Sequence, residues 1–144
     1  RQNMEQLTFI EEVQRISISL NKKVMTEIKE RLLSQGITPF QYHILLIIGK
    51  CNHIGVTKLA EEMRVKPSAI TPVITRLIDL ELVSRYHSKE DRRKVNIELT
   101  AKGEQVIEEA NEIVQKMIAH FFSCYEPKDQ EQFLKLFKKL DANI

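Results

Sequence analysis

The apolar residues of this 144-residue chain recur every three or four positions almost throughout, and they alternate strictly in only one region. The longer spacing is typical of amphipathic helices, whereas strict alternation is typical of half-buried strands. The alternation runs through residues 94–99, and residues 82–87 before it also have a strand-like composition. We therefore predict a mainly helical α+β fold that contains one β-hairpin with a charged tip.

A long first helix is predicted over residues 4–34. Its apolar positions keep the helical spacing: Leu7, Ile10, Val13, Ile16, Leu20, Val24, Ile28 and Leu32. Gly36 suits the left-handed residue that commonly follows a helix. A helix of about 30 residues spans ~45 Å at 1.5 Å per residue, which exceeds a compact domain of this size. Part of the stripe is therefore expected to contact a second chain; the alternative is packing within its own chain.

A second helix is predicted to start at residues 38–41, Thr-Pro-Phe-Gln. The threonine can cap, proline suits the first helical position, and glutamine completes a capping box. The helix is expected to reach about Lys50, and the uninterrupted apolar run at 44–48 predicts that it is buried on all sides. Residues 52–56 are predicted to be a connector.

Two short helices are predicted next, the first capped by Thr57 and the second over about residues 67–80. Ala60 is small where the two helices would cross, and a tight turn is expected at residues 65–66. Apolar residues are spaced to pack the pair together: Leu59, Met63, Val65, Ile70 and Val73. This is the helix-turn-helix pattern, whose second helix enters the major groove of DNA. Arg64 stands where the pattern often has glycine, and it fits if the backbone there is left-handed.

The predicted hairpin follows as a wing over about residues 83–99. The formal net charge of the chain is +2, but residues 64–94 hold eight basic and four acidic residues, giving +4 and leaving −2 for the rest. Such a local excess indicates contact with a polyanion; the alternative is a solvated charged face. Because a narrow minor groove attracts arginine, the helix pair and wing together predict binding to double-stranded DNA.

Two more helices complete the predicted order. Thr100 is expected to cap the first, over roughly 101–122, and the Glu126-Pro127 pair precedes the last, over about 127–141. We find no internal repeat, low-complexity tract, signal-peptide pattern or membrane-spanning apolar run. Two cysteines are too few for a disulfide framework, so a cytoplasmic protein with reduced thiols is expected.

Taken together, the sequence resembles the multiple-antibiotic-resistance repressor (MarR) family over nearly its whole length. The matching segments, in the family's order and spacing, are Ile37–Tyr42, Leu59–Glu61, Ile70–Thr71, Leu82–Arg85, Asp91–Arg93 and Leu99–Gly103. The Asp-x-Arg of the wing, followed by Leu-Thr-x-x-Gly, is the most specific part.

The resemblance implies one domain over 1–144, with a winged helix-turn-helix at 38–100 and dimerisation helices at 4–36 and 101–144. It implies a homodimer with a triangular outline and interlocked terminal helices. It also implies a pseudo-palindromic DNA operator, from which a small molecule often releases the protein. A transcriptional repressor without enzymatic activity or cofactor is thus expected.

The family pattern also assigns DNA-contacting residues. On the recognition helix they are Lys66, Ser68, Ala69, Thr71, Thr75 and Arg76; on the wing they are Arg85, Lys89, Asp91, Arg92, Arg93 and Lys94. The hydroxyls suit phosphates and base edges, and Ala69 suits a thymine methyl; for Ser68 and Thr71 the alternative is capping and solvation. Arg93 matches the minor-groove residue. Asp91 is expected to fix the wing tip by accepting hydrogen bonds, from Arg85 or from a backbone N–H.

Three residues depart from the family pattern. Pro72 lies about six residues into the recognition helix, where it removes a backbone hydrogen bond and a bend is expected. Glu81 replaces the usual glycine before Leu-Val, which puts the local turn geometry in question. Ile78 replaces a common glutamate, and additional core packing explains it.

Other chemistries have little support in the sequence. Nucleophile-elbow, phosphate-loop and zincin motifs are absent. His43 matches a position of the family's zinc-sensing branch, but its neighbour is Tyr42 rather than a carboxylate, so no metal site is predicted. Cys51 is interpreted as a packed small hydrophobe, whereas Cys124 is expected to be exposed.

An effector cleft is expected between the terminal helices and the winged domain, with Ile16, Tyr42, Leu46 and Arg85 as candidate lining residues. The alternative functions are a thiol- or metal-responsive regulator of the same fold and a winged-helix protein-interaction module without DNA binding. A small helical enzyme, the third, lacks any convergent catalytic set. The interaction module would need a neutral or acidic recognition helix, whereas residues 64–76 carry three bases and no acid.

Overall fold

The computed structural model describes residues 2–144, with side chains from Met4 onward. The helices are α1 (Gln2–Ser34), α2 (Pro39–Cys51), α3 (Val56–Met63), α4 (Pro67–Asp79), α5 (Ala101–Phe121) and α6 (Pro127–Asp141). The strands are β1 (His53–Gly55), β2 (Val83–His87) and β3 (Val95–Leu99), and a single 3-10 turn at Phe122–Cys124 joins α5 to α6. The predicted mainly helical α+β class is confirmed.

The first helix ends where the sequence predicts. Gly36 has a φ of +77°. Its N–H donates to the Leu33 carbonyl at 3.0 Å, and the Ile37 N–H donates to the Leu32 carbonyl at 2.9 Å. This pair of bonds is a Schellman motif, and it is completed by apolar contact between the residues on either side of the turn. Leu32 and Ile37 are accordingly both buried.

The helix α2 begins with the predicted capping box. The Gln41 N–H donates to Thr38 Oγ1 at 3.1 Å, and the Thr38 N–H donates to Gln41 Oε1 at 3.0 Å. The prediction that this helix is buried on all sides is wrong at Leu46, which is 40% exposed. Ile44, Leu45 and Ile48 are fully buried, so α2 packs along one broad face and Leu46 lies outside it.

The connector predicted at residues 52–56 contains the strand β1, which the sequence analysis missed. The sheet has the antiparallel order β1-β3-β2, and Ile54 of β1 pairs with Ile97 of β3. A three-residue strand is too short to show alternation, and its partner lies more than 40 residues away. Thr57 is not the cap of α3, because the helix starts at Val56 and its N-cap is Gly55.

The main core lies inside the winged domain. Side chains of α2, α3, α4 and β3 are completely buried there: Ile44, Leu45, Ile48, Leu59, Ile70, Ile74, Leu77 and Ile97. The last third of α1 joins this core through Ile28 and Leu32. The helix α6 has no buried residue. Its first half packs against the 3-10 turn through Phe133, whose ring centroid lies 4.7 Å from that of Phe122.

The two cysteines are both exposed. The prediction is therefore wrong for Cys51, because this last residue of α2 precedes a sharp turn at Asn52, where φ is +64°. It is confirmed for Cys124, which follows α5. No helix in the described part of the chain is long and apolar enough to cross a membrane.

Candidate nucleic-acid interface

The turn between α3 and α4 sets the angle of the second helix. Arg64 has a φ of +56°, the left-handed conformation that its place in the pattern requires. The Val65 N–H donates to the Ala60 carbonyl at 3.0 Å and closes the end of α3. Leu59 of α3 and Ile70 of α4 are both fully buried in the core below the turn. The packing of one face of α4 leaves its opposite face to solvent.

The exposed face of α4 carries the predicted DNA-contacting residues. Lys66, Ser68, Ala69, Thr71, Thr75 and Arg76 are all exposed. The Thr71 hydroxyl donates to the Pro67 carbonyl, and the Thr75 hydroxyl donates to the Thr71 carbonyl, each at 3.1 Å. A hydroxyl has only one hydrogen to donate, so each must rotate before it can donate to a phosphate. In its present rotamer each hydroxyl can accept from a base amino group.

Pro72 lies within α4, which runs unbroken from Pro67 to Asp79. A proline at this position has no N–H to donate to the carbonyl of Ser68, four residues earlier. Since Pro72 is exposed, its ring lies on the solvent side of the helix. Ile78 is partly buried and packs against the core, as its replacement of a polar residue predicts.

The turn after α4 is left-handed at Glu81, where φ is +61°. The Leu82 N–H donates to the Leu77 carbonyl at 3.0 Å, and the Glu81 N–H donates to the Ile78 carbonyl at 2.8 Å. The backbone thus adopts the glycine-like conformation although a glutamate occupies the position. The departure at Glu81 leaves the fold intact.

The wing tip is held together by Asp91. Its Oδ1 accepts the Arg93 N–H at 3.0 Å and the Arg93 Nε–H at 3.3 Å, and its carbonyl accepts the Lys94 N–H at 2.9 Å. The prediction that Asp91 fixes the tip through a backbone N–H is confirmed. Arg93, rather than Arg85, is the side chain that donates to it.

Two residues at the tip were not anticipated from the sequence. His87 Nδ1 lies 2.9 Å from the Arg92 carbonyl, and a hydrogen bond there requires the tautomer protonated at Nδ1. The Ser88 N–H donates to the Lys94 carbonyl at 2.9 Å. Only the folded hairpin brings these pairs together, so no local sequence signal marks them.

All eight basic residues between 64 and 94 are exposed: Arg64, Lys66, Arg76, Arg85, Lys89, Arg92, Arg93 and Lys94. Over residues 2–144, Arg93 is the one member of this set with a carboxylate within 4.0 Å, its partner being Asp91 at 3.3 Å. The Arg93 side chain is still 93% exposed. A group of basic side chains with so little internal neutralisation suits a polyanionic surface.

The described residues contain no group of three or more His, Cys, Asp or Glu side chains placed to hold a metal ion.

A cavity of about 350 Å³ lies between α2, β3 and α5, and Leu46, Leu99 and Ile107 are among its lining residues. A cavity of about 790 Å³ lies between α1 and the end of α5. A smaller one of about 300 Å³ lies between the turns that follow α1 and α4 and the first half of α5. Of the candidate effector residues, Leu46 lines the first, whereas Ile16, Tyr42 and Arg85 line none of the three. Burial raises the pKa of Tyr42.

Comparison with known proteins gives consistent matches. The profile of the MarR family matches residues 37–95. The HTH-type transcriptional repressor MdtR of Bacillus subtilis (strain 168) is 32% identical over 122 residues, which are 85% of this chain and 79% of that protein.

Two solved structures cover almost the whole chain. The YusO protein from Bacillus subtilis superposes with a TM-score of 0.78 at 29% identity, over 95% of this chain and 97% of its own. A MepR-like protein complexed with pseudoligands is 47% identical over 92% of this chain and 94% of its own, with a TM-score of 0.55. The arrangement of helices and wing is therefore shared with proteins of known structure.

Proposed function

This chain belongs to the MarR family of transcriptional regulators, and we propose that it acts as a homodimeric repressor whose α4 helices and wings bind a pseudo-palindromic operator. The family and the named relative make it a regulator rather than an enzyme. The observation that carries the proposal is the exposed basic set of α4 and the wing, seven of whose eight members lack a carboxylate partner in the described residues.

The proposed contacts follow from the shape of the two elements. An exposed helix face fits the major groove, and short side chains such as Ser68 and Ala69 let the backbone come close to the bases. The wing carries Arg93 into the adjacent minor groove, while Asp91 holds its backbone in place. The remaining lysines and arginines are positioned to neutralise phosphates, so affinity is expected to fall steeply with salt.

The exposed apolar surface of α1 supports a homodimer. Phe9, Val13, Ile16 and Leu20 lie along one side of the helix, and Leu7 and Ile18 lie along the other. All six are at least 36% exposed. A helix that is apolar on two sides must bury both against other elements, and no side chain among residues 4–144 covers either. Leu134, Phe137 and Leu140 of α6 form a second exposed apolar stripe. We assign residues 4–36 and 101–144 to dimerisation.

Release by a small molecule is the third part of the proposal. The MepR-like relative was solved as a complex with pseudoligands. In this chain, the cavity lined by Leu46 lies between α2 and α5. A ligand shifts an equilibrium only by binding one arrangement better than another. A compound that alters the packing between α2 and α5 would change the spacing of the two recognition helices, whose half-sites lie about one helical turn apart.

The test is a selection from random duplexes with purified protein at near-physiological salt. We expect enrichment of a pseudo-palindrome with half-sites about one helical turn apart. The selected duplex should then bind with an affinity that decreases strongly between low and moderate salt. Weak binding of all duplexes without enrichment would contradict the proposal and favour a protein-interaction module.

A further inference from the structure

The Leu-Thr-x-x-Gly segment joins the end of the recognition helix to the start of α5. Three consecutive carbonyls of the turn after α4 accept hydrogen bonds from it. The Leu80 carbonyl accepts from Lys102 Nζ at 3.1 Å. The Glu81 carbonyl accepts from Thr100 Oγ1 at 2.6 Å, and the Leu82 carbonyl accepts from the Thr100 N–H at 3.1 Å. We call residues 80–82 and 100–103 together the Thr100 clamp.

The hydroxyl of Thr100 does two things at once. It accepts the Gly103 N–H at 3.1 Å, which caps α5, and its own hydrogen goes to the Glu81 carbonyl in the preceding turn. Thr38 provides a comparison within the same chain. Its hydroxyl accepts the Gln41 N–H at 3.1 Å and caps α2 in the same way, but within the described residues it donates to no other element. Capping alone therefore does not account for the geometry at Thr100.

Gly103 brings the two backbones into close contact. A Cβ at this position would overlap the Leu82 carbonyl oxygen and crowd its carbonyl carbon. Any side chain would have to push the first turn of α5 away from the turn that follows α4. The glycine thus permits a separation between the two elements that the Thr100 hydrogen bonds then hold.

We infer that the Thr100 clamp is a positioning site, which sets the angle of α4 relative to α5 and thereby the fit of α4 to its operator. This inference rests on the proposed function, because α5 belongs to the assigned dimerisation region and α4 to the DNA-binding surface. Two recognition helices must meet half-sites at a defined spacing, so an angular error in α4 reduces specific binding. Attraction to any phosphate backbone tolerates such an error.

The experiment compares the full chain with the variants Thr100→Val, Thr100→Ser and Thr38→Val. For each we measure the thermal midpoint and the affinities for the selected operator and for a scrambled duplex. Thr100→Val should weaken operator binding by about tenfold, comparable to one mismatched base pair, with little change for the scrambled duplex. Thr100→Ser keeps the hydroxyl and should restore the ratio of the two affinities. Thr38→Val should lower the midpoint but leave the ratio unchanged.

A second variant tests the inference in case Thr100→Val does not fold. Lys102→Met removes one clamp bond from an exposed side chain and leaves the cap intact, so it should lower the same ratio by a smaller factor. An unchanged ratio in Thr100→Val, or an equal decrease in Thr38→Val, would overturn the inference. Either result would leave Thr100 with a capping role only.

A measurement without DNA separates this inference from the proposed function. In a Cys51→Ser, Cys124→Ser background, spin labels are attached to cysteines introduced by Ser68→Cys on α4 and Glu112→Cys on α5. The distance between the two labels reports the arrangement of α4 and α5. Labelled chains are diluted into unlabelled protein so that one labelled chain is observed at a time. Thr100→Val should broaden the distance distribution and Thr38→Val should not. If the parent protein selects no operator but the broadening occurs, the proposed function fails and the clamp stands; without broadening, the clamp fails.

Discussion

Large apolar side chains are buried in the winged domain but exposed on the long terminal helices. In the winged domain the large apolar side chains of α2 and α4, such as Ile48 and Ile74, are completely buried. In α1 the apolar residues before Val24 are all exposed, with Leu7 at 56% and Phe9 at 68%, and α6 buries none. The winged domain thus buries its apolar residues within the chain, whereas the terminal helices leave theirs exposed to solvent.

This difference has a thermodynamic consequence. Contiguous exposed apolar surface of this extent is uncommon on monomers and marks interaction surfaces. The stability of the winged domain should therefore be a property of one chain, whereas that of the terminal helices should depend on protein concentration. The following changes test that division, in order of decreasing effect.

Deletion of residues 1–19 should have the largest effect, because it removes most of the exposed stripe of α1 while leaving Ile28 and Leu32 in the core. We expect a monomeric protein that no longer binds operator although its winged domain stays folded, measured by light scattering, circular dichroism and titration with DNA. Charge reversal at the polar neighbour Glu11, Glu11→Lys, is the control and should leave a dimer. A stable dimer of the shortened chain would contradict the division.

Replacement of the fully buried Ile74 by alanine should lower the free energy of unfolding by about 2–5 kcal/mol, because it leaves a cavity in the core. The loss should be the same at every protein concentration in denaturant titrations. Phe137→Ala on α6 is the matched comparison. Its effect should vanish on dilution below the dissociation constant of the dimer, because a side chain that is 55% exposed within the chain stabilises only the dimer. A concentration-dependent loss for Ile74→Ala would argue against a self-contained winged domain.

Replacement of Arg93 by alanine should weaken operator binding by about 1–3 kcal/mol without changing stability. The side chain protrudes from the wing, and among residues 4–144 its one ion-pair partner is Asp91, two residues earlier. A mobility-shift titration measures the change, and Lys135→Ala on α6 serves as a charge control with little expected effect. Equal losses for the two variants would mean that net charge, rather than the wing, determines affinity.

The smallest effect is expected at the junction between α1 and α5. The Arg31 guanidinium donates to Glu109 at 2.8 Å, and together with Gln35 it lowers the pKa of Glu109. A carboxyl whose pKa is lowered by folding stabilises the protein above its ordinary pKa, and that stability is lost as the pH falls through the lowered value.

Glu109→Gln should therefore reduce the loss of stability seen on acidification, by a small amount because the pair is partly solvated. Urea titrations across the acidic pH range measure this change in the free energy of unfolding. Glu12→Gln removes the corresponding pair within α1, where Arg15 lowers the pKa of Glu12, and controls for an effect inside one helix. If both variants retain the full acid sensitivity of the parent, neither pair contributes to it.

Much of the fold was predictable because its signals are local. The end of α1 at Gly36, the capping box at Thr38, the start of α4 at Pro67 and the cap at Thr100 each depend on contacts within about four residues. The left-handed backbone at Arg64 was predictable for the same reason. The family pattern then placed the recognition helix and the wing.

The remaining features depend on residues that are distant in the sequence. The strand β1 exists because β3 pairs with it, and its formation moves the start of α3 ahead of Thr57. Leu46 is exposed because the neighbours of α2 cover only part of its surface. None of these can be inferred from a local pattern.

The sequence by itself determined where the helices and the hairpin lie and which faces are apolar or basic, because periodicity and capping act over a few residues. Only the tertiary structure decided which apolar faces are covered within the chain, that β1 pairs with β3, and how Thr100 links the turn after α4 to α5. Those outcomes depend on the packing of elements that are far apart in the chain, and chain connectivity alone does not specify it.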